Sequence, residues 1–320
     1  MITDEVLQQG LGLTLDETDF PGAGALHRGK VRDSYCRGDR RTIVVTDRLS
    51  AFDVIVGTIP FKGQVLNGVA AYWFDASREL VPNHLLAVPD PAVSVVRECR
   101  VIPVEMVVRG YLTGSSSTSI WTHYERGSRT YCGHALPAGL HKHERLPRPL
   151  ITPTTKAEKG AHDEPVSGDE AVARGLCTAG EFAELSALAL RLFDFGTRRA
   201  AERGLLLVDT KYEFGRTPEG TLVVVDEVHT PDSSRYWYAA SYEEALRSGS
   251  DPRALDKEYV RRYLVAQGFR GEGPTPVLPD AVRMEAARRY VEIFEAITGT
   301  AFVPNLEPPL ERLARLFSAG

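Results

Sequence analysis

The chain has 320 residues, 43% hydrophobic and 25% charged, with a formal net charge of -5. This length suits one large or two ordinary domains with a sizeable core, and the apolar content excludes a disordered chain. Mild net acidity argues against a dedicated nucleic-acid binder, which presents a basic face, yet leaves room for a local pocket for a small anion.

In chain order, the opening MITDEVLQQG lacks the basic and apolar regions of a signal peptide. No apolar run nears the ~20 residues that span a bilayer, so a cytoplasmic location and no membrane partner are expected. RTIVVTD (41–47) and SAFDVIVGTIP (50–60) read as short strands, and QVLNGVAAYWFDASREL (64–80) as a helix followed by a Pro-Asn turn. SVVRECRVIPVEMVVRGYL (94–112) predicts a strand pair broken near Pro103, which has no N–H for a ladder. From Gly114 to Ser167 the Gly, Ser, Thr, Pro and His content predicts long functional loops with little regular structure. Residues 179–204 predict a helix with Phe182, Leu185, Leu188, Leu192 and Phe195 on one side and Gly204 as its stop. LLLVDTKYEFG and TLVVVDEVHT flank GRTPEG as a hairpin. Amphipathic helices follow around 255–266 and 281–297, and GFRGEGPTP (268–276) between them reads as a hinge or lid. Strands first and helices later predict an α+β protein with a mixed or antiparallel sheet, divided near residue 115 into lobes 1–115 and 116–320. Cys36, Cys99, Cys132 and Cys177 form no CxxC pair, and their spacing fits reduced thiols better than a zinc knuckle or disulfide framework.

Four stretches carry chemistry. In GAGALHRGKV, Gly24, Gly29 and Lys30 match part of a phosphate loop, but Val31 stands where Mg²⁺ needs a hydroxyl, and no good strand precedes. Lys30 and Arg32 would share one face of a strand, which fits a phosphate contact or a solvated basic edge. In the hairpin, Asp209, Lys211 and Glu213 alternate on one face, and symmetric closure around GRTPEG would add Asp226. Carboxylates so close repel unless a cation balances them, so the face suits Mg²⁺, or else a salt-bridged surface hairpin. PDSSRYW offers Ser233, Ser234 and Arg235, and Arg109 ends an apolar strand before a Gly/Ser turn; both suit phosphate or carboxylate, or a paired surface arginine. His134, His141 and His143 lack metal-ligand spacing and read as a solvated loop, while the His162-Asp163 pair lies in a polar loop.

Together, HRGKVRDSY, TDRLSAFDV, KGQVLN, PVEMVVRGYLTGS, ITPTTKAEKGAHDEPVS, LLLVDTKYEFG and VVVDEVHTPDSSRYW resemble, in order, the phosphoribosylaminoimidazole-succinocarboxamide synthase (SAICAR synthetase) family. The resemblance runs from about residue 26 to 264 and is to the long form of that family. It implies a two-lobed α+β fold, ATP-grasp-like or kinase-like, with nucleotide in the cleft. It also implies a ligase that uses ATP and Mg²⁺ to join L-aspartate to carboxyaminoimidazole ribonucleotide (CAIR), as a monomer or homo-oligomer. By the same resemblance, Gly29, Lys30 and Arg32 contact ATP phosphates, and Glu105 to Val107 present backbone groups to adenine. Lys211 and Glu213 serve nucleotide and metal, with Asp226 as second metal ligand. Arg109, Ser115, Ser234 and Arg235 hold the ribose phosphate; Asp53, Lys156 and Asp232 line the same cleft, and His162 to Glu164 are candidates for L-aspartate. Arg32 stands where short forms have lysine, keeping the charge with a forked geometry. A kinase-like phosphotransferase and a non-catalytic nucleotide-binding module compete with this reading; neither an HRD catalytic loop nor a DFG motif is expected in the chain, which counts against the former.

Overall fold

The computed structural model describes residues 2–52, 54–116, 118–156, 163–255 and 258–318. It opens with helix α1 (Asp4–Leu11), capped by the Thr3 hydroxyl. A meander follows: β1 (Ala25–Arg28), β2 (Arg32–Arg37) and β3 (Arg40–Val45), then a small hairpin of β4 (Arg48–Ala51) and β5 (Val54–Thr58). Helix α2 (Lys62–Ser77) leads to β6 (Leu85–Asp90) and β7 (Val93–Arg97). These strands form a five-stranded antiparallel sheet in the order β1-β2-β3-β7-β6.

The expected strand pair over 94–112 resolves into β7, the short β8 (Arg100–Val101) and β9 (Val104–Tyr111), with the break at Pro103. β7 stays in the first sheet, whereas β8 and β9 enter a second, eight-stranded one. The segment 114–167 is more regular than its composition suggests. It holds α3 (Ile120–Glu125), β10 (Thr130–Tyr131), β11 (His134–Ala135), β12 (Arg145–Ile151) and β13 (Thr154–Thr155). Leu112, Ile120, Tyr124, Tyr131, Leu136, Leu146 and Leu150 give it a small core of its own. These apolar residues are too widely spaced to show a period, so the turn-forming residues dominated the reading.

Helices α4 (Gly168–Ala173) and α5 (Ala179–Ala201) both begin with a capping box, from Ser167 with Glu170 and from Thr178 with Glu181. Then come β14 (Leu205–Arg216), β15 (Leu222–Val225), β16 (Ser234–Tyr238), α6 (Ala239–Ser248), β17 (Ala254–Leu255), α7 (Glu258–Ala266), α8 (Asp280–Thr298) and α9 (Pro309–Ser318). The second sheet runs β12-β9-β14-β16-β17, with β13 on β9 and with β8 and β15 on β14. α5 covers β14 and β9, and α2 packs against α8. One large core, including Val65, Trp73, Met106, Leu192, Tyr212 and Tyr290, joins both sheets and these helices. Between α7 and α8, Phe269 is buried with its ring edge-on to Phe52, which anchors one end of the glycine-rich 268–276 segment. Among the described residues no helix is long and apolar enough to cross a membrane.

Candidate active site

The site lies where β14 changes partners. β14 pairs with β16 over Leu205–Thr210, with β9 over Asp209–Tyr212, and with β15 over Glu213–Arg216. β15 and β16 therefore part, and residues 226–233 connect them without joining the sheet. Within that connection Asp226 and His229 take left-handed backbone, with φ of 64° and 52°, a region Asp and His enter more readily than most residues.

The hairpin register pairs Glu213 with Val225. Continued by one step, it would set Asp226 opposite Tyr212 and so on the face away from Glu213. The left-handed turn instead brings the Asp226 carboxylate to Arg32, on the same cleft wall as Glu213. The shared face expected from symmetric closure is reached by backbone reversal, not by register.

The cleft, about 380 Å³, lies between the β1–β2 turn and β14. Ile43, Val96, Val101 and Val225 supply apolar wall, while Lys30, Arg32, Lys156, Glu213 and Asp226 supply charge. Gly29 and Lys30 occupy the turn, where the Gly29 N–H donates to the Arg32 carbonyl at 2.8 Å. A hairpin here, with no helix after the glycines, fails the context a phosphate loop requires. Arg48, buried at 3% exposure, fixes this turn. Its Nε donates to the Lys30 carbonyl at 2.9 Å, and its Nη2 to the Gly29 carbonyl at 3.1 Å and to Asp33 Oδ1 at 2.7 Å. Sequence reasoning passed over Arg48, whose only signal was a lone cation between two apolar strands.

Charge in the cleft is cross-paired. Arg32 bridges Asp226 and Glu227, Lys156 meets Glu213, and Lys211 Nζ sits 2.9 Å from Glu213 and 2.7 Å from Glu105. Burial opposes the charge on Lys211, but Glu213, Asp226 and Glu105 hold its pKa above the ordinary lysine value. Arg32 is likewise raised, burial being outweighed by Asp226 and Glu227. Burial pushes Asp226 up, yet Arg32 and Lys211 hold it below the usual carboxylate range. Burial raises Glu105 and Glu227, only partly offset by Lys211 and Arg32 respectively. Among the described residues no three His, Cys, Asp or Glu side chains form a metal cage. Glu213 and Asp226 nonetheless fit Mg²⁺, which is usually held by one or two carboxylates plus phosphate oxygens and water.

A second cluster sits further along β14. Arg109 and Arg235 approach the same oxygen, Asp209 Oδ2, at 3.3 and 3.4 Å, and Arg109 Nε donates to Thr152 Oγ1 at 2.9 Å. Two guanidiniums share one carboxylate, which leaves positive charge in excess. Gly114, with φ of 114°, has no room for a Cβ, which would lie 2.5 Å from the Ser119 Cβ. The loop carrying exposed Ser115 can therefore run beside Arg235. Ser234 is buried and donates to Thr210 Oγ1 at 2.7 Å. Both Asp232 oxygens are engaged, Oδ2 by Lys62 Nζ at 2.9 Å and Oδ1 by the Tyr290 hydroxyl at 3.2 Å.

Three expectations are revised. Neither Glu105 nor Val107 is on the cleft wall; the Glu105 carboxylate joins the charge network behind it through Lys211, at 2.7 Å. β9 is paired on both edges, the Val107 carbonyl already accepts the Thr152 N–H at 2.8 Å, and that backbone is committed before any base arrives. His143 is not part of a solvated loop: it is buried, with Nδ1 2.9 Å from Thr113 Oγ1 and Nε2 2.7 Å from Asp251. A DFG tripeptide does occur, at Asp194 to Gly196, but inside α5. A Cβ at Gly196 would lie 2.3 Å from His229 Cε1, so this glycine makes room for the buried imidazole. Asp53 and His162 lie outside the described residues. Of their neighbours, Glu164 pairs with Arg174 at 3.0 Å on the surface and Asp163 acts electrostatically on Glu105.

A family model described as SAICAR synthetase matches residues 25–275. The chain is 49% identical over 315 residues to the phosphoribosylaminoimidazole-succinocarboxamide synthase of Bacteroides fragilis, covering 96% of this chain and 99% of that one. It is similar in structure to a SAICAR synthase from Saccharomyces cerevisiae complexed with SAICAR, with a TM-score of 0.79, 30% identity and coverage of 91% and 100%. A SAICAR synthetase in complex with ADP shares the fold at a TM-score of 0.66 and 22% identity, covering 88% of this chain and 100% of that one.

Proposed function

The chain belongs to the SAICAR synthetase family, and on that premise we propose how its residues divide the work of the family's reaction. The protein is an ATP-dependent ligase that joins L-aspartate to the carboxylate of CAIR in purine biosynthesis. A carboxylate does not acylate an amine unaided, because its oxygen is too poor a leaving group. In our reading, a CAIR carboxylate oxygen takes the γ-phosphoryl group of ATP and ADP departs. The aspartate amine then attacks the acyl carbon, phosphate leaves with the former carboxylate oxygen, and the amine proton passes to solvent. Catalysis of this kind rests on positioning and on balancing negative charge.

The observation that carries the assignment is the meeting of Lys30, Arg32, Lys156, Glu213 and Asp226, from three distant stretches, on one cleft. The Gly29 turn with Lys30 and Arg32 would hold phosphate oxygens, while Lys156 and Lys211 would face the transferring group. Glu213 and Asp226 would hold Mg²⁺ with phosphate oxygens, supplying charge neutralisation during transfer. The wall of Ile43, Val96, Val101 and Val225 takes the base, in place of Glu105 and Val107. Arg109 and Arg235, with Ser115 beside them and Ser234 bracing the strand, take the ribose phosphate of CAIR. The partners are thus small molecules, CAIR and L-aspartate, and the setting is the cytoplasm.

The test is ADP release with Mg·ATP, CAIR and L-aspartate, omitting each in turn. Release that needs all three, with the absorbance change of SAICAR formation, is expected. Release without aspartate would point to a kinase-like transfer instead.

A further inference from the structure

Asp232 carries the further step. The resemblance makes it a cleft-lining substrate residue, yet both of its oxygens are held from beneath. Lys62, the first residue of α2, is wholly buried and pairs with Oδ2; its Nζ also lies 5.6 Å from the centroid of the Tyr290 ring. Tyr290, from the middle of α8, donates to Oδ1. A buried ammonium, a carboxylate and an aromatic face thus form one cluster, in which each partner lowers the cost of burying the others.

The placement of Asp232 matters more than its charge. Its N–H donates to Thr230 Oγ1 at 3.3 Å, and that hydroxyl donates to Glu227 Oε2 at 2.6 Å. Glu227 pairs with Arg32 on the nucleotide side. Ser233, Ser234 and Arg235 follow immediately, and Arg235 reaches Asp209 on the arginine side. The short turn 230–235 therefore links both halves of the site, and Asp232 is where the rest of the protein grips it.

We propose that Tyr290 and Lys62 are positioning residues for CAIR: they hold Asp232 so that Arg235 is aimed at the substrate phosphate, and α8 is thereby a working part of the site. This rests on the reading of Arg235 as a phosphate ligand. Because Arg235 lies three residues from Asp232 while Arg32 has its own anchors in β2, loosening the grip acts on CAIR before ATP.

The experiment measures Tyr290→Phe beside Arg235→Ala and the parent, with KM for CAIR and for ATP, kcat and thermal melting on each. Loss of the hydroxyl is expected to raise KM for CAIR about three- to tenfold, leave KM for ATP within about twofold, and shift melting only slightly. Lys62→Met, if it folds, should give a larger effect in the same direction. Tyr290→Phe with both KM values unchanged, or with both raised equally alongside a large melting shift, would overturn the positioning role while an impaired Arg235→Ala left the phosphate reading intact. A normal KM for CAIR in Arg235→Ala would overturn both.

Discussion

The two ends of the site, strung along one strand, are built on opposite charge logic. At the Glu213 end, carboxylates and cations interleave so closely that nearly every charge has a partner: Arg32 with Asp226 and Glu227, Lys211 with Glu105 and Glu213, Lys156 with Glu213. At the Asp209 end, two arginines share one carboxylate oxygen. The balanced end suits a ligand that arrives as a metal complex, because its phosphates and its cation can each exchange with a pair already present. The end with surplus positive charge suits a bare monoester phosphate, which brings no cation.

The largest expected effect comes from breaking the balanced end. Asp226→Asn keeps the left-handed backbone, which Asn tolerates as well as Asp, and removes only the charge. Turnover should fall by about 100-fold or more, with a raised requirement for Mg²⁺. Activity equal to the parent at limiting Mg²⁺ would remove Asp226 from the metal site. Next in size is the surplus end. Arg235→Ala leaves Arg109 alone on Asp209, a neutral pair, and should raise KM for CAIR about 10- to 100-fold while KM for ATP moves little. Equal effects on both substrates would mean that the two ends do not act as separate sites.

How far the sequence disclosed each end follows from the same contrast. The alternation of Asp209, Lys211 and Glu213 is a property of one strand, so a period of two was enough to place them on one face. Asp226 was found by its position at the end of an apolar run, but the reason it reaches the cleft, a left-handed residue after the last hairpin pair, leaves no mark in a pattern of apolar and polar residues. Arg109 and Arg235 looked like separate cations; their meeting depends on β9 and β16 flanking β14, and β9 joins β14 from about a hundred residues away. Arg48, Lys62 and Tyr290 were missed because a buried charge or hydroxyl inside an ordinary strand or helix resembles any surface polar residue until its partner is known. The same limit hid the small core of residues 112–150, whose apolar members are scattered among turn formers.

Beneath both ends, His229 supports the connection that carries Asp226 and Asp232. Gly196→Ala tests this support through stability. Helix propensity alone predicts a gain of about 1 kcal/mol for this change inside α5. The added Cβ would lie 2.3 Å from the imidazole of fully buried His229, so a net loss of about 1–3 kcal/mol is expected instead. Urea unfolding decides the sign, and a stabilised variant would show that His229 can shift without cost.

The smallest effect concerns the proton on that histidine. Burial holds the His229 pKa down to about 3, against 6.5 for an exposed imidazole. Its Nε2 lies 2.5 Å from the Tyr212 hydroxyl, and its ring lies edge-on to Trp73 with centroids 4.6 Å apart. A depressed histidine pKa means that the unfolded chain takes up a proton, below about pH 6.5, that the folded chain refuses until near pH 3. The associated stability is fully present above pH 6.5 and is lost as pH falls across that window. Asp47 works in the opposite sense, since burial raises its carboxyl to about 6. Its contribution is present below about pH 4 and is lost as pH rises toward 6, but it is common to parent and variant and cancels between them. His229→Gln keeps an acceptor for Tyr212 and removes the titration. Between pH 6 and 4.5, its unfolding free energy should therefore fall with acid less steeply than that of the parent, by about 1.4 kcal/mol per pH unit. Parallel slopes would mean that the imidazole is protonated in the folded state, and that the support beneath the two ends of the site is charged and not neutral.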